Sequence, residues 1–550
     1  MDILKTVLEE YKIWCDNTKD DEYMQRELTR LENSPEELLE CFGGDLGFGT
    51  SGIRGLLGPG PRRINSYVIA RATQGLADYI LKQKNTGAGK VVIAYDTRLF
   101  SKEFAEETAK VLSGNNIDAY LFSEVTPVPV LSYSIGELDC DYGIMITASH
   151  NAGIFNGYKV YNRYGYQIVG REPKEILEHI SDHGFFDGIN RNNDKIHILD
   201  DVIKESFISK VKSITWPFVP KDEASNLNVV YTPLNGTGNN YMGRVLADAG
   251  FSEVNMVTGQ QDPDPKFTTC KNPNPEKLSA YNEAFRVLDQ VNGDIIIATD
   301  PDSDRVGVAL IHDETKINLT GNQIALLMLD YLCSVNPPKP GDVCLRSIVT
   351  TPLIDRVAES YGLDVITTLI GFKYIGNEIQ HLIDANNDGF YFGTEESNGF
   401  LIDSFVKDKD AISSAVIIAS MAAKYKAKGQ DLIDHLNEIY GDYGALIDRS
   451  RSFTFQGLSG QETMEQIMNH LRNDVNEQIG DLYIEDKTDY LKDDTGLPKA
   501  DIIRFDMDDG STAIIRPSGT EPKIKVYMFL TDPVSPIDKG ITEIMDGYKE

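Results

Sequence analysis

The chain reads as α/β, built on parallel or mixed sheets, and three observations predict it. Short β-rich runs such as Val91-Val92-Ile93-Ala94 and Ile295-Ile296-Ile297-Ala298 alternate with longer segments of helical spacing. Polar clusters follow the runs at once: Tyr95-Asp96-Thr97-Arg98 after one, Asp300 to Arg305 after another. Open α/β sheets place ligands beyond the carboxyl ends of their strands, so these clusters are where chemistry is sought. Finally, 550 residues at 41% apolar content supply roughly three to five domains of ~100–200 residues, each with its own core.

The formal charge of −32 and a pI near 4.6 repel nucleic acid and anionic membrane surfaces. They do not exclude an anionic substrate, because salt screens remote charge over about 8 Å and a local Arg/Lys cluster prevails inside a cleft. Six cysteines are scattered with no C-x-x-C pair, which argues against a zinc site and a disulfide framework. The N-terminus lacks a signal-peptide pattern, and no run of 18 apolar residues is present. The expectation is a soluble, cytoplasmic protein with neither nucleic-acid nor membrane partners.

Residues from about 3 to 40 are rich in Leu, Glu and Lys at helical spacing, and Ser34-Pro35-Glu36-Glu37 is a helix start. Gly47 to Gly55 follows, with four glycines and Arg54; such a loop permits close backbone approach and an anion nest. A helix is predicted from about Asn65, with Ile69, Ala72, Leu76, Tyr79 and Ile80 on one face. The Val91–Ala94 strand precedes a helix over about Ser101–Leu112 and a strand near Ala119–Phe122. Ile144-Met145-Ile146 then reads as a buried strand delivering Thr147-Ala148-Ser149-His150-Asn151 into a loop. An extended stretch from Asn156 to Tyr161 carries Lys159, ten residues past the serine and within reach of one cleft.

A boundary falls between 185 and 225, near Trp216-Pro217-Phe218-Val219-Pro220. The second block opens at Asn228-Val229-Val230-Tyr231 and closes on Asp300-Pro301-Asp302-Ser303-Asp304-Arg305. Three alternating carboxylates beside a buried strand need a neutralising cation. The EF-hand pattern fails, since its glycine position holds Arg305 and its glutamate position Ile311. Three carboxylates with room for a phosphate oxygen suit Mg²⁺ better.

A third block has a helix over Gln323–Tyr331, a strand near Val343–Leu345, and the loop Gly393-Thr394-Glu395-Glu396-Ser397-Asn398-Gly399. Carboxylates and a hydroxyl on a glycine-bounded loop suit sugar hydroxyls. Lys407-Asp408-Lys409-Asp410 opens a helix; lysines at that end are electrostatically misplaced, which points to another task. The last block holds Ile502 to Phe505, an Asp509-Gly510 hairpin signal, and Arg516-Pro517-Ser518-Gly519-Thr520-Glu521-Pro522-Lys523 ahead of a strand bearing Lys525. A guanidinium fork, two hydroxyls, bare amides and ammonium groups make an anion cradle.

These four loops, in this order, resemble the α-D-phosphohexomutase family over almost the whole chain. Thr147–Asn151 is similar to its phosphoserine loop, Asp300–Arg305 to its metal loop, Glu395–Gly399 to its sugar loop and Arg516–Glu521 to its phosphate loop. The acidic N-terminal lead and the Asp-Pro-Asp metal loop resemble its longer branch, which includes bacterial phosphoglucomutases and phosphopentomutases. The resemblance implies three consecutive mixed-sheet α/β domains (1–205, 206–315, 316–440) plus a C-terminal α+β domain (441–550) around a central cleft. It further implies Mg²⁺ held by phosphorylated Ser149, Asp300, Asp302 and Asp304, with Arg54, His150, Lys159 and Lys409 near the chemistry. Arg305, Glu395, Ser397, Arg516, Ser518, Gly519, Thr520 and Lys525 are the implied substrate contacts. The implied reaction interconverts glucose 1- and 6-phosphates through a 1,6-bisphosphate, which also serves as activator. Phosphopentomutase and phosphomannomutase are the alternative activities, and an inactive sugar-phosphate binding protein is the non-enzyme alternative. A monomer or homodimer is expected. Two departures stand out: Thr394 replaces a frequent glycine, and Asn235 a frequent histidine.

Overall fold

The computed structural model describes residues 2–47, 49, 52–84, 89–455, 460–518 and 523–548. The N-terminal lead forms three helices, α1 (Asp2–Asn17), α2 (Glu22–Leu31) and α3 (Pro35–Phe42). Fully buried Trp14 joins them to the first domain through ring contacts with Phe42, Tyr67, Phe185 and Phe186. Ser34 precedes α3 as predicted, but it caps no backbone amide; its hydroxyl donates to Glu37 at 3.1 Å. The acid attracted to the positive helix end takes the hydroxyl first.

The first sheet contains β1 (Gly52–Leu56), β2 (Lys90–Tyr95), β3 (Asp118–Phe122), β4 (Tyr142–Ile146), β5 (Phe155–Asn162) and β6 (Ile196–Leu199), in the order β1-β5-β4-β2-β3-β6. Strands β4, β2, β3 and β6 run parallel, while β5 lies antiparallel between β4 and β1. Consequently β2 and β4 end side by side and deliver Asp96–Arg98 and Thr147–Ser149 to one edge. The helix predicted from Asn65 is α4 (Ser66–Gln83), with Asn65 Oδ1 accepting from Val68 N at 3.0 Å.

The second sheet uses β7 (Asn228–Thr232), β8 (Glu253–Met256), β9 (Ile295–Thr299), β10 (Val306–His312) and β11 (Thr315–Asn318), in the order β11-β10-β9-β7-β8. All of β9, Ile-Ile-Ile-Ala-Thr, is buried, as expected for a central strand covered on both faces. The third sheet has β12 (Val343–Ser347), β13 (Asp364–Thr368), β14 (Phe390–Glu395) and β15 (Gly399–Leu401), and is again mixed. The fourth is antiparallel throughout: β16 (Ile447–Thr454), β17 (Gln478–Ile479), β18 (Leu482–Asp489), β19 (Ile503–Met507), β20 (Thr512–Pro517) and β21 (Lys523–Leu530). Three mixed α/β layers followed by a C-terminal α+β unit are thus what the chain forms.

One apolar core runs continuously from the first domain through the second to the third and takes in Tyr490, Ile514, Tyr527 and Phe529 of the fourth. The fourth domain keeps a largely separate core around Phe453, Ile503, Val526 and Ile541. Among the described residues no helix is long and apolar enough to cross a membrane.

Candidate active site

Ser149, just past the end of β4, takes a left-handed conformation, φ 51°, and is 2% exposed. Its amide donates to Thr147 Oγ1 at 2.8 Å, and Thr147 Oγ1 donates to Asp96 at 2.6 Å. The turn aims the hydroxyl out of its own domain: Ser149 Oγ donates to Asp300 Oδ2 at 2.7 Å, although 151 residues separate them. His150 Nδ1 lies 3.2 Å from the same oxygen. Burial, then the cations Arg305 and Arg54, hold His150 well below its ordinary pKa, so the ring is neutral.

Asp300, Asp302 and Asp304 are all buried, with carboxylate oxygens within 4.8 Å of one another. Burial, then the two neighbouring carboxylates, hold Asp300 well above its ordinary pKa. Asp302 Oδ1 and Asp304 Oδ1 are buried without hydrogen-bond partners among the described residues. Hard oxygen donors, converging and partly unsatisfied, fit a divalent cation of the Mg²⁺ type.

Two lysines supply positive charge here. Lys159, on β5, is 2.8 Å from Asp302 and 3.5 Å from Asp304. Burial alone would lower its pKa, but Asp302 and Asp304 outweigh that and keep it charged. Lys409 lies 3.2 Å from Asp304 and 2.8 Å from Asp408, which likewise outweigh burial. This explains the misplaced lysine at the helix start: Asp410 caps Ala411–Ala427, while Lys409 turns toward the carboxylates. Gly399 lets it pass, since a Cβ there would meet Lys409 Cδ at 2.3 Å. Arg54 stands at the open mouth, donating to Asn151 Oδ1 at 3.2 Å. Arg305 pairs with Glu276 at 2.8 Å and donates its amide to Asp300 at 3.0 Å.

In the third domain, Glu395 accepts from Ser397 Oγ at 3.0 Å. Its neighbour Glu396 accepts from Ser347 Oγ at 3.2 Å; burial, then the charge of Glu395, pushes Glu396 up to about 7. Thr394 lies in regular β14, paired with Arg346 and Phe400, so the departure is absorbed by an ordinary strand. From the fourth domain, Lys525 faces Glu276, Glu396 and Ser397 across a cavity of about 210 Å³. Arg516 and Lys525 are direct cross-strand partners on β20 and β21. Two cations so placed repel each other, and an anion between them relieves the repulsion. Ser518 begins the connecting loop, its amide donating to Lys523 O at 2.7 Å. Gly519 and Thr520 lie outside the described residues.

Sequence reasoning named Arg98 as a strand-end residue but gave it no task. It is wholly buried against Asp96 and the backbone of the serine loop. Glu276, the partner of Arg305, was missed; it lies in a turn ahead of the short helical segment Leu278–Tyr281, and no motif marks it.

Residues 45–186, 205–312 and 320–442 match the domains described as phosphoglucomutase/phosphomannomutase, alpha/beta/alpha domains I, II and III. Residues 472–529 match the C-terminal domain of the same family. The phosphoglucomutase of Staphylococcus epidermidis is 35% identical over 514 residues, covering 90% of this chain and 92% of that one. That of Staphylococcus haemolyticus is 36% identical over 530 residues, covering 92% and 95%. In fold, the chain is similar to a putative phosphomannomutase from Thermus thermophilus, with a TM-score of 0.70 at 20% identity, over 92% of this chain and 100% of that one. It is also similar to the open form of parafusin from Paramecium, with a TM-score of 0.67 at 18% identity, over 92% and 96%. With all four domains matched in order, this chain belongs to the phosphoglucomutase/phosphomannomutase family and is a phosphohexomutase.

Proposed function

We propose that this enzyme interconverts glucose 1-phosphate and glucose 6-phosphate, carrying the phosphoryl group on Ser149. One observation carries the reading: a buried serine hydroxyl from the first domain meets the carboxylate cluster of the second at 2.7 Å. A free serine is a weak nucleophile, and phosphoryl transfer depends on positioning and on neutralising the equatorial oxygens. In the forward step, the P–O bond to Ser149 breaks as a P–O bond to the free sugar hydroxyl forms; that hydroxyl gives up its proton and the freed Ser149 oxygen takes one up, so the proton count is unchanged. The resulting 1,6-bisphosphate turns end for end and returns its other phosphoryl group to Ser149.

Lys159 and Lys409, held charged, border the transfer path and oppose the negative charge on the moving group. Glu395 and Ser397 grip ring hydroxyls in either pose. Arg516, Ser518 and Lys525, with Gly519 and Thr520, hold the phosphate that is not reacting, and Arg54 and Arg305 complete the positive wall. Asp300, Asp302, Asp304 and an oxygen on Ser149 would hold Mg²⁺, which when bound neutralises charge on the phosphoryl oxygens. Six dispersed cysteines, none paired, support a reducing, cytoplasmic setting.

The test is turnover of glucose, mannose and ribose 1-phosphates with Mg²⁺ and a trace of glucose 1,6-bisphosphate. Glucose should lead in kcat/KM by about tenfold or more. Ser149→Ala should lose more than about 10⁴-fold in kcat, the order seen when a covalent nucleophile is removed. A faster mannose or ribose reaction would overturn the sugar assignment, and near-normal turnover by Ser149→Ala would overturn the carrier.

A further inference from the structure

We propose that Arg98 is the positioning residue of the serine loop, and that Phe267 of the second domain holds Arg98 to that task. The inference rests on Ser149 being the phosphoryl carrier. The Arg98 side chain is fully buried where β2 ends. Its Nη1 donates to the carbonyls of Ala152 at 2.9 Å and Phe155 at 3.1 Å. Its Nη2 donates to the carbonyls of Ser149 and Asn151. Four carbonyls of one seven-residue turn therefore converge on one planar fork, a geometry that a lysine cannot reproduce.

Asp96 completes the frame. It faces Arg98 Nε at 3.1 Å, accepts from Ser101 Oγ at 2.7 Å, and receives the Thr147 hydroxyl that itself binds the Ser149 amide. Ser149 keeps its left-handed backbone, a strained conformation for a non-glycine residue, because its neighbours on both sides are pinned.

The outer face of the guanidinium meets the second domain. Arg98 Cζ stands 5.0 Å from the ring centroid of buried Phe267. The loop carrying Phe267 also covers Gly153, where a Cβ would meet Pro265 O at 3.0 Å and Phe267 Cδ2 at 3.2 Å. That loop is itself tied down. Asn235 Nδ2 donates to Asp262 O at 2.7 Å, Thr269 Oγ1 donates to Asn235 Oδ1 at 3.3 Å, and Asp264 accepts from the amides of Lys266 and Thr268. Because the same domain presents Asp300, the contact sets the serine loop relative to the carboxylates, and a misplacement of about 1 Å there can cost ~10²-fold.

The experiment uses full-length enzyme labelled on Ser149 with radioactive phosphate and follows loss of label to an excess of glucose 1-phosphate in a rapid-quench instrument. The amplitude counts competent molecules, and the rate constant reports transfer. Arg98→Lys should lower the rate constant by about 10²-fold, with amplitude near that of the parent and KM within about threefold. Phe267→Leu, which keeps bulk and removes the ring face, should lower it by about threefold to tenfold. A rate constant within about twofold of the parent in Arg98→Lys, or a loss confined to the amplitude, overturns the proposal. If Arg98→Lys does not fold, Phe267→Leu decides by the same criteria. A parent enzyme that takes no label on Ser149 removes the carrier reading itself, whereas a labelled parent with unaffected variants removes only the role of Arg98.

Discussion

The two walls of the cleft are built differently. On the carrier side, Ser149, Asp300, Asp302, Asp304, Lys159 and Lys409 are all buried, and they reach one another across three domains. On the phosphate-cradle side, Arg516, Ser518 and Lys525 are only partly buried and come from one hairpin of one domain. The fourth domain has a core of its own, as the first does, beside the apolar cluster to which all four domains contribute. Reaction geometry tolerates little displacement, so its groups are locked by packing. The proposed bisphosphate, turning end for end, would need a side with solvent access and long, adjustable cations. The contrast teaches that burial is concentrated where the proposed reaction would make and break bonds.

Three measurements test this contrast. The largest effect belongs to the rigid side. Lys159→Ala strips the counter-ion from Asp302, and kcat should fall by about 10²–10³-fold with little change in KM. A loss confined to KM would place Lys159 with the cradle instead. On the open side the expectation reverses. Arg516→Ala removes a charge-assisted contact of about 1.5–3 kcal/mol, so KM should rise roughly 10- to 150-fold while kcat holds within a few fold. A dominant kcat effect would erase the distinction between the two walls.

The smallest effect concerns the seam between them. Asp448 on β16 accepts from Thr320 Oγ1 at 3.5 Å, at the start of the helix Gly321–Val335, and burial pushes it up to about 7. Its folded pKa lies above its unfolded value near 4, so the unfolded chain ionises first. The contribution of Asp448 to stability is therefore largest below about pH 4, declines as pH rises, and reaches its floor above about 7. Thermal melts of Asp448→Asn should lose this decline, a difference of about 1–3 °C between pH 5 and pH 8. Parallel pH profiles for parent and variant would show that the seam does not carry the titration.

Much of this was legible in the residues. The β-rich runs at Val91–Ala94 and Ile295–Thr299 became central strands because such residues pack on a pleated sheet buried on both faces. The Asp509-Gly510 signal became the turn between β19 and β20, with Gly510 at φ 82°. Lys409 looked misplaced beside a helix start, and the reason proved to be Asp304, more than a hundred residues earlier. Other roles were hidden. Arg98 looked like any cation after a strand, because sequence spacing carries no record of which carbonyls will converge on it. Asn235, a departure by family comparison, proved to hold the loop that bears Phe267.

What the amino-acid order determined by itself is local: which segments are strands, which turns end them, and which loops carry carboxylates, hydroxyls or cations. Those follow from backbone sterics and from periodicities of a few residues. Only the tertiary structure decided that Ser149 meets Asp300, that Lys159 and Lys409 share one carboxylate cluster, and that Arg98 is buried between two domains. Burial and charge pairing depend on distances through space between segments remote along the chain, and no local pattern specifies them.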